Sequence, residues 1–206
     1  MMPAETLTPK GRQTREAIEQ SARKLFAERG FHGTTLADIT SAAGKSPAVF
    51  YRYFADKEDL LAALAESFLH DVVEPSGLSL RLPESADDDA FFTSVVTGYW
   101  NMFKQNIGIM IAVAQLAATQ QRFAAVQNEF RRFGMDIVAA SVQRAQEQGY
   151  GAELNAQHVA AAIALLFENF TTVFVGPSGL GLDIGDDDAI ATLSTVWKKT
   201  LYGGRS

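Results

Sequence analysis

The sequence predicts an all-α protein. Apolar residues recur at three- and four-residue spacing almost throughout, and no stretch alternates apolar with polar residues as a half-buried strand does. The breaks between periodic stretches fall at glycine, proline or capping residues. No internal repeat at a solenoid period is present.

The first helix carries Ile18, Ala22, Leu25 and Phe26 on one face and stops at Gly30. Thr35 is the expected N-cap of a short second helix with Leu36, Ile39 and Ala43 on one side, closed at Gly44. Ser46 caps a third, with Pro47 at its first position, where a missing N–H costs nothing. Phe50 and Phe54 follow four residues apart. Asp56 then caps a longer helix bearing Leu60, Leu61, Leu64, Phe68 and Val72, which is expected to end at Pro75 and Gly77. The Gly-, Pro- and charge-rich stretch 76–89 marks a boundary. Beyond it the periodicity predicts helices at about 88–105, 107–118, 120–148, 155–175 and 187–202. The expected organisation is a helix–turn–helix domain with an N-terminal arm over 1–56 and a larger helical domain over 57–206.

Composition narrows the function. Of the 206 residues 47% are hydrophobic, enough for a substantial core, and none is cysteine, which removes disulfides, thiolate zinc sites and cysteine nucleophiles together. The polar N-terminus has no apolar signal region. The longest uninterrupted apolar run, Val159 to Phe167, falls well short of the ~18 residues of a membrane span, so a cytoplasmic protein without a membrane partner is expected. The net charge of −6 is unevenly spread. Residues 1–57 carry nine Lys/Arg against six Asp/Glu, a net +3, and residues 58–206 carry nine against eighteen, a net −9. A mildly basic head on an acidic body fits nucleic-acid contact confined to one end.

Residues 14–54 have the layout of a helix–turn–helix, in which a third helix braces two short ones and one of these lies in the major groove. The turn Ala43-Gly44-Lys45-Ser46 joins the short helices. The face left open carries Lys45, Pro47, Ala48, Tyr51, Arg52 and Tyr53. Small residues at 47 and 48 permit close backbone approach, the tyrosines suit phosphates, and Arg52 suits phosphate or guanine. The string GFHGTTLADITSAAGKSPAVFYRYFADKEDLLAAL resembles the DNA-binding head of TetR-family transcriptional regulators, densely over residues 14–64. That resemblance implies that Thr35 caps the second helix and touches phosphate, and that Pro47, Ala48 and Arg52 face bases. It also implies that Tyr51, Tyr53 and Lys57 hold the DNA backbone. Lys45 and Ser46, in the turn before the third helix, are further candidates for DNA contact. Ala37 stands where the family often has a basic or polar residue, and Lys45 where it usually has an aliphatic one. The operator therefore does not carry over. Lys10, Arg12 and Arg15 in the arm are further candidates for phosphate or minor-groove contact.

The body is rich in aromatic residues with scattered polar groups among them, the composition of a small-molecule pocket. Candidate lining residues are Phe92, Tyr99, Trp100, Phe103, Met110, Phe123, Phe130, Phe167, Asn169, Phe170 and Phe174, and the expected ligand is a small hydrophobic effector. A densely packed core explains any one of them equally well. The last two helices are apolar on two sides, at Val159, Ile163, Leu166, Phe170 and Phe174 opposite Ala160, Ala164, Phe167 and Val173, and again at Ile190, Leu193, Val196, Trp197 and Leu201. A helix apolar on two sides is either central or shared with a second copy. A homodimer through these helices would set two recognition helices ~34–36 Å apart, on an inverted repeat of double-stranded DNA.

No metal, cofactor or catalytic residue is assigned. Asp87–Asp89 and Asp186–Asp188 each precede a predicted helix, where acids favour the positive end of the macrodipole. His32, His70 and His158 lack ligand spacing, and Gly176-Pro-Ser-Gly follows a helix and lacks the P-loop lysine. The expectation is a ligand-responsive repressor and not an enzyme. The alternative is an apolar-ligand carrier, or an enzyme, whose helix–turn–helix is only structural.

Overall fold

The computed structural model describes residues 7–73, 81–176 and 180–203. Among these residues there are nine helices and no strand, so the all-α fold predicted from periodicity is the one found. The chain divides into two compact units, one of residues 1–71 with 106–127, the other of 72–105 with 128–206. The boundary expected at 56/57 falls in the turn before the fourth helix. The first unit runs on past it and also recruits a later segment.

The first unit begins with α1 (Pro9–Arg29), capped by the Thr8 hydroxyl, which accepts from the Gly11 amide, and closed by Gly30 at φ 71°. The Thr34 hydroxyl donates to the freed Gly30 carbonyl at 2.8 Å. Next come α2 (Leu36–Ala42), α3 (Pro47–Phe50) and α4 (Lys57–Val73). Thr35 caps α2 through a reciprocal capping box with Asp38. Gly44 turns the chain at φ 62°, and Ser46 caps α3 with Pro47 at its first position. Asp56 Oδ1 accepts from the Asp59 amide at 2.7 Å to start α4. The Pro75 and Gly77 stop lies outside the described residues. Ile18, Ala22, Leu25 and Phe26 of α1 pack with Ile39, Phe50, Phe54, Leu60, Leu61 and Leu64 in one core. Burying each of these phenylalanines contributes roughly 1.5–3 kcal/mol. Helices as short as α2 and α3 form only because of such packing.

α6 (Ile107–Ala117) joins this unit and crosses α1. A Cβ at Gly108 would stand 2.4 Å from the Ala27 amide nitrogen, so only glycine permits the crossing. α7 (Gln121–Glu147) starts here, with Phe123 fully buried in the same core.

The second unit comprises α5 (Asp89–Gln105), the rest of α7, α8 (Ala156–Val175) and α9 (Asp186–Tyr202). Its core joins Phe91, Phe92, Val96 and Trp100 of α5 to Val138 and Val142 of α7, Ile163 and Phe167 of α8, and Leu193 and Trp197 of α9. The Trp197 indole N–H donates to the buried Ser141 hydroxyl at 3.2 Å. Asp186 sits in the first turn of α9, as the macrodipole favours, and also accepts from Trp100 Nε1 at 3.1 Å and Lys104 Nζ at 2.6 Å. α8 is long and apolar enough to cross a membrane by length and composition alone. It buries Ala160, Ile163, Phe167 and Thr171 in this unit. Leu165 and Leu166 remain 50% and 42% exposed.

Candidate nucleic-acid interface and small-molecule cavity

The first unit presents a short exposed surface along α3 and the turn that follows it. Ser46, Pro47, Ala48, Tyr51 and Arg52 are exposed, Tyr51 by 59%. Phe50 and Phe54, buried at 0% and 2%, anchor the segment from beneath, so that surface is held rigidly. Lys45 and Tyr53 are half-buried, and Tyr53 packs against the core. Thr35 is exposed, but its hydroxyl is engaged in the capping box.

Two expectations change here. Lys57 is turned inward: its ammonium donates to the Phe31 and Thr34 carbonyls at 2.6 and 2.7 Å and lies 4.2 Å from the Phe31 ring centroid. Burial holds its pKa below the ordinary lysine value, opposed by the neighbouring Glu58 charge. An ammonium with two donors spent internally is a brace of the head before it is a phosphate contact. The expected arm is also not a free tail, because Lys10, Arg12 and Arg15 belong to α1 itself. Arg12 donates to the Leu7 carbonyl at 2.7 Å, and Arg15 pairs with Glu19 while stacking over Phe54.

The second unit contains a cavity of about 480 Å³, a size suited to a drug-like or medium-chain molecule. α5 supplies Phe91, Ser94, Val95, Gly98, Tyr99 and Met102. α7 supplies Phe130, Arg131, Phe133, Gly134, Ile137 and Val138. Ala164, Phe167 and Glu168 of α8, Trp197 of α9 and Arg81 complete the wall. Arg131 closes a two-point pair on Glu168, with Nε at 2.6 Å and Nη2 at 2.9 Å. Arg81 pairs with Asp88 at 2.7 Å. Burial pushes the Asp88 carboxyl up, but amides of Glu84 and Phe91 and the Arg81 charge outweigh it and hold the pKa below the usual value.

Gly98 and Gly134 are interior helical residues that open on this space, and a Cβ at either would meet nothing within 4 Å. Each costs its helix about 1 kcal/mol relative to alanine. Gly98 is exposed and Gly134 half-buried, so Gly134 is the position that a core needing only to close would fill.

Of the sequence candidates, Tyr99, Phe130 and Phe167 line the cavity. Phe92, Trp100 and Phe103 are almost fully buried and outside its wall, because on α5 the neighbouring stripe through Val95, Tyr99 and Met102 faces it instead. Phe170 and Phe174 stack on one another at 4.6 Å, and Asn169 is exposed. Met110 and Phe123 lie in the first unit, where Phe123 is part of the head's core. Sequence reasoning missed Arg81, Arg131, Gly98 and Gly134. The glycines inside strong helical patterns were the available signal; Arg131 and its partner Glu168 lie 37 residues apart and leave none.

Comparison with known proteins adds to this geometry. Residues 18–64 match the family described as bacterial regulatory proteins, tetR family. The chain is 24% identical over 203 residues to the HTH-type transcriptional regulator EthR of Mycobacterium tuberculosis, covering 96% of this chain and 91% of EthR. It is 28% identical over 152 residues to the HTH-type transcriptional repressor KstR2 of Rhodococcus jostii, covering 68% and 71% of the two. Among solved structures, the transcriptional regulator FadR of Bacillus subtilis in complex with stearoyl-CoA superposes with a TM-score of 0.64 at 18% identity, over 92% of this chain and 99% of that one.

Proposed function

Residues 18–64 match the tetR family of bacterial regulatory proteins, and from that premise we propose that the chain is a ligand-responsive transcriptional repressor of this family. It binds an inverted-repeat operator as a homodimer in the cytoplasm and releases it when a small hydrophobic effector fills the cavity of the second unit. The observation that carries the reading is the exposed set Ser46, Pro47 and Ala48 at the amino end of α3 with Tyr51 and Arg52 in the turn that follows it, anchored by buried Phe50 and Phe54. Pro47 and Ala48 leave the backbone free to approach base edges, Arg52 reads guanine or phosphate, and Tyr51 reaches phosphate. Thr35, Lys45 and Tyr53 flank this surface.

KstR2 is a transcriptional repressor by name, which supports repression over activation. FadR with stearoyl-CoA supports an effector with a long acyl chain in this fold. Leu165 and Leu166 on α8, with Val196 on α9 at 37% exposure, supply the apolar face for a second copy. α7 suits the coupling role, because Phe123 packs in the head's core while Phe130, Arg131 and Gly134 line the cavity. A guest shifts the dimer between operator-spaced and displaced states only through its differential affinity for the two.

Selection of bound duplexes from a random pool tests the reading. Enrichment of an inverted repeat, followed by its release on addition of a cavity ligand, is the expected result. No enrichment at low salt from a folded dimer overturns it and leaves an apolar-ligand carrier in its place.

A further inference from the structure

Resting on the reading of the second unit as an effector domain, we propose that its cavity takes an amphipathic acid, an apolar chain ending in a carboxylate, and that the carboxylate binds the open edge of Arg131. The two ends of the cavity differ in a way that sets this orientation.

One end holds Tyr99, Phe167, Arg131 and Glu168. The Tyr99 and Phe167 ring centroids lie 5.7 Å apart, and Arg131 closes on the residue next to Phe167. A guanidinium carries five N–H donors in a planar fork. Glu168 takes two of them, through Nε and Nη2, and those left over, including both on Nη1, have no partner among the described residues. The Arg131 side chain belongs to the cavity wall and is 33% exposed. A guest carboxylate can therefore add to the Nη1 edge without displacing Glu168. Bound there, it stands nearer to the guanidinium than to Glu168, which holds the opposite edge, so attraction exceeds repulsion. The bond is charge-assisted on both sides.

The other end holds Phe91, Trp197 and Arg81, the first two with ring centroids 5.7 Å apart. Arg81 faces two carboxylates, Asp88 at 2.7 Å and Glu84 at 3.5 Å, so one positive charge meets two negative ones. A further anion gains little at this end. Between the ends α5 rises from Phe91 to Tyr99, about 12 Å at the helical rise per residue. Val95, Ile137 and Val138 line that span. It accepts the tail of a medium-chain acid, and burial of the tail supplies most of the affinity.

The test is titration of the full-length protein, at neutral pH and by calorimetry, with decanoate and with methyl decanoate, which keeps the chain and removes the charge. Both are expected to bind. Arg131→Met combined with Glu168→Met removes the pair together and leaves no charge buried alone. It is expected to weaken decanoate at least about tenfold, the worth of a hydrogen bond to a charged group, and to change the ester by less than about threefold. Glu168→Gln keeps the shape of the pair and removes the competing charge, so it is expected to tighten decanoate and not the ester. This single variant carries the test if the double one fails to fold. Unchanged decanoate affinity in either variant, equal changes in both probes, or binding of the ester without decanoate overturns the proposal alone. Binding of neither probe by the folded protein overturns the effector-site reading and the proposal with it.

Discussion

The Lys57 ammonium holds Phe31 from two directions, donating to its carbonyl at 2.6 Å while lying 4.2 Å from the centroid of its ring. A second bond, to the Thr34 carbonyl, ties the start of α4 to the loop that leads into α2. Lys57→Met is expected to lower the stability of the head by roughly 1.5–3 kcal/mol, the range for hydrogen bonds to a charged group. Thermal unfolding checks the loss. The salt dependence of DNA binding separates brace from phosphate contact. Loss of a phosphate contact would reduce the slope of log affinity against log salt by about one; an unchanged slope is expected.

The glycines over the cavity give an opposed pair of effects. Gly134→Ala places a methyl in open space on α7 and is expected to stabilise the protein by about 1 kcal/mol, a rise of about 2–4 °C in Tm. Gly134→Leu is expected to narrow the cavity and weaken the binding of an apolar guest there. Calorimetry on both variants checks this. Unchanged guest affinity in the leucine variant would place the guest elsewhere.

The head was readable in the sequence because its signals are local. Thr35 with Asp38, Ser46 with Pro47, and Gly30 and Gly44 at positive φ each fix an element boundary within a few residues. The cavity was not readable to the same degree, because its wall depends on the rotation of α5. Tyr99 and Trp100 are adjacent and equally aromatic, yet one lines the cavity and the other is buried beside it. A rotation of one residue about a helix axis decides which, and only the packing of α7, α8 and α9 sets it. Lys57 shows the same limit. Its motif position suggested a phosphate contact, while the carbonyls that hold it lie 26 and 23 residues away.

Acid stability follows from Asp186. Hydrogen bonds from Lys104 and then Trp100 hold its carboxyl below the ordinary 3.8, with burial opposing and the Lys104 charge adding. A depressed folded-state pKa gives stability that is present above 3.8 and lost as pH falls through the lower, folded value. The pair is half exposed, so Asp186→Asn is expected to cost less than about 1 kcal/mol at pH 7. Wild type and variant are expected to converge at the acid end of a denaturation series, and a gap that persists there contradicts the assignment.

The apolar face on α8 makes a prediction about assembly. Leu166→Glu places a charge at a residue 42% exposed, so the protomer is expected to fold normally. Sedimentation is expected to show a monomer at concentrations where the wild type is a dimer. Operator affinity is expected to fall about a hundredfold or more, because the second half-site no longer binds as an intramolecular event.

The most direct measurement is the affinity of the wild-type protein for the selected inverted repeat and for a scrambled duplex of equal length, at physiological salt, beside Arg52→Ala. Sequence-reading by the exposed surface of α3 and its following turn requires a preference of at least about a thousandfold for the repeat, and a loss in Arg52→Ala of about 1–3 kcal/mol on the repeat if Arg52 pairs with guanine. Equal affinity for both duplexes at every salt concentration would contradict it.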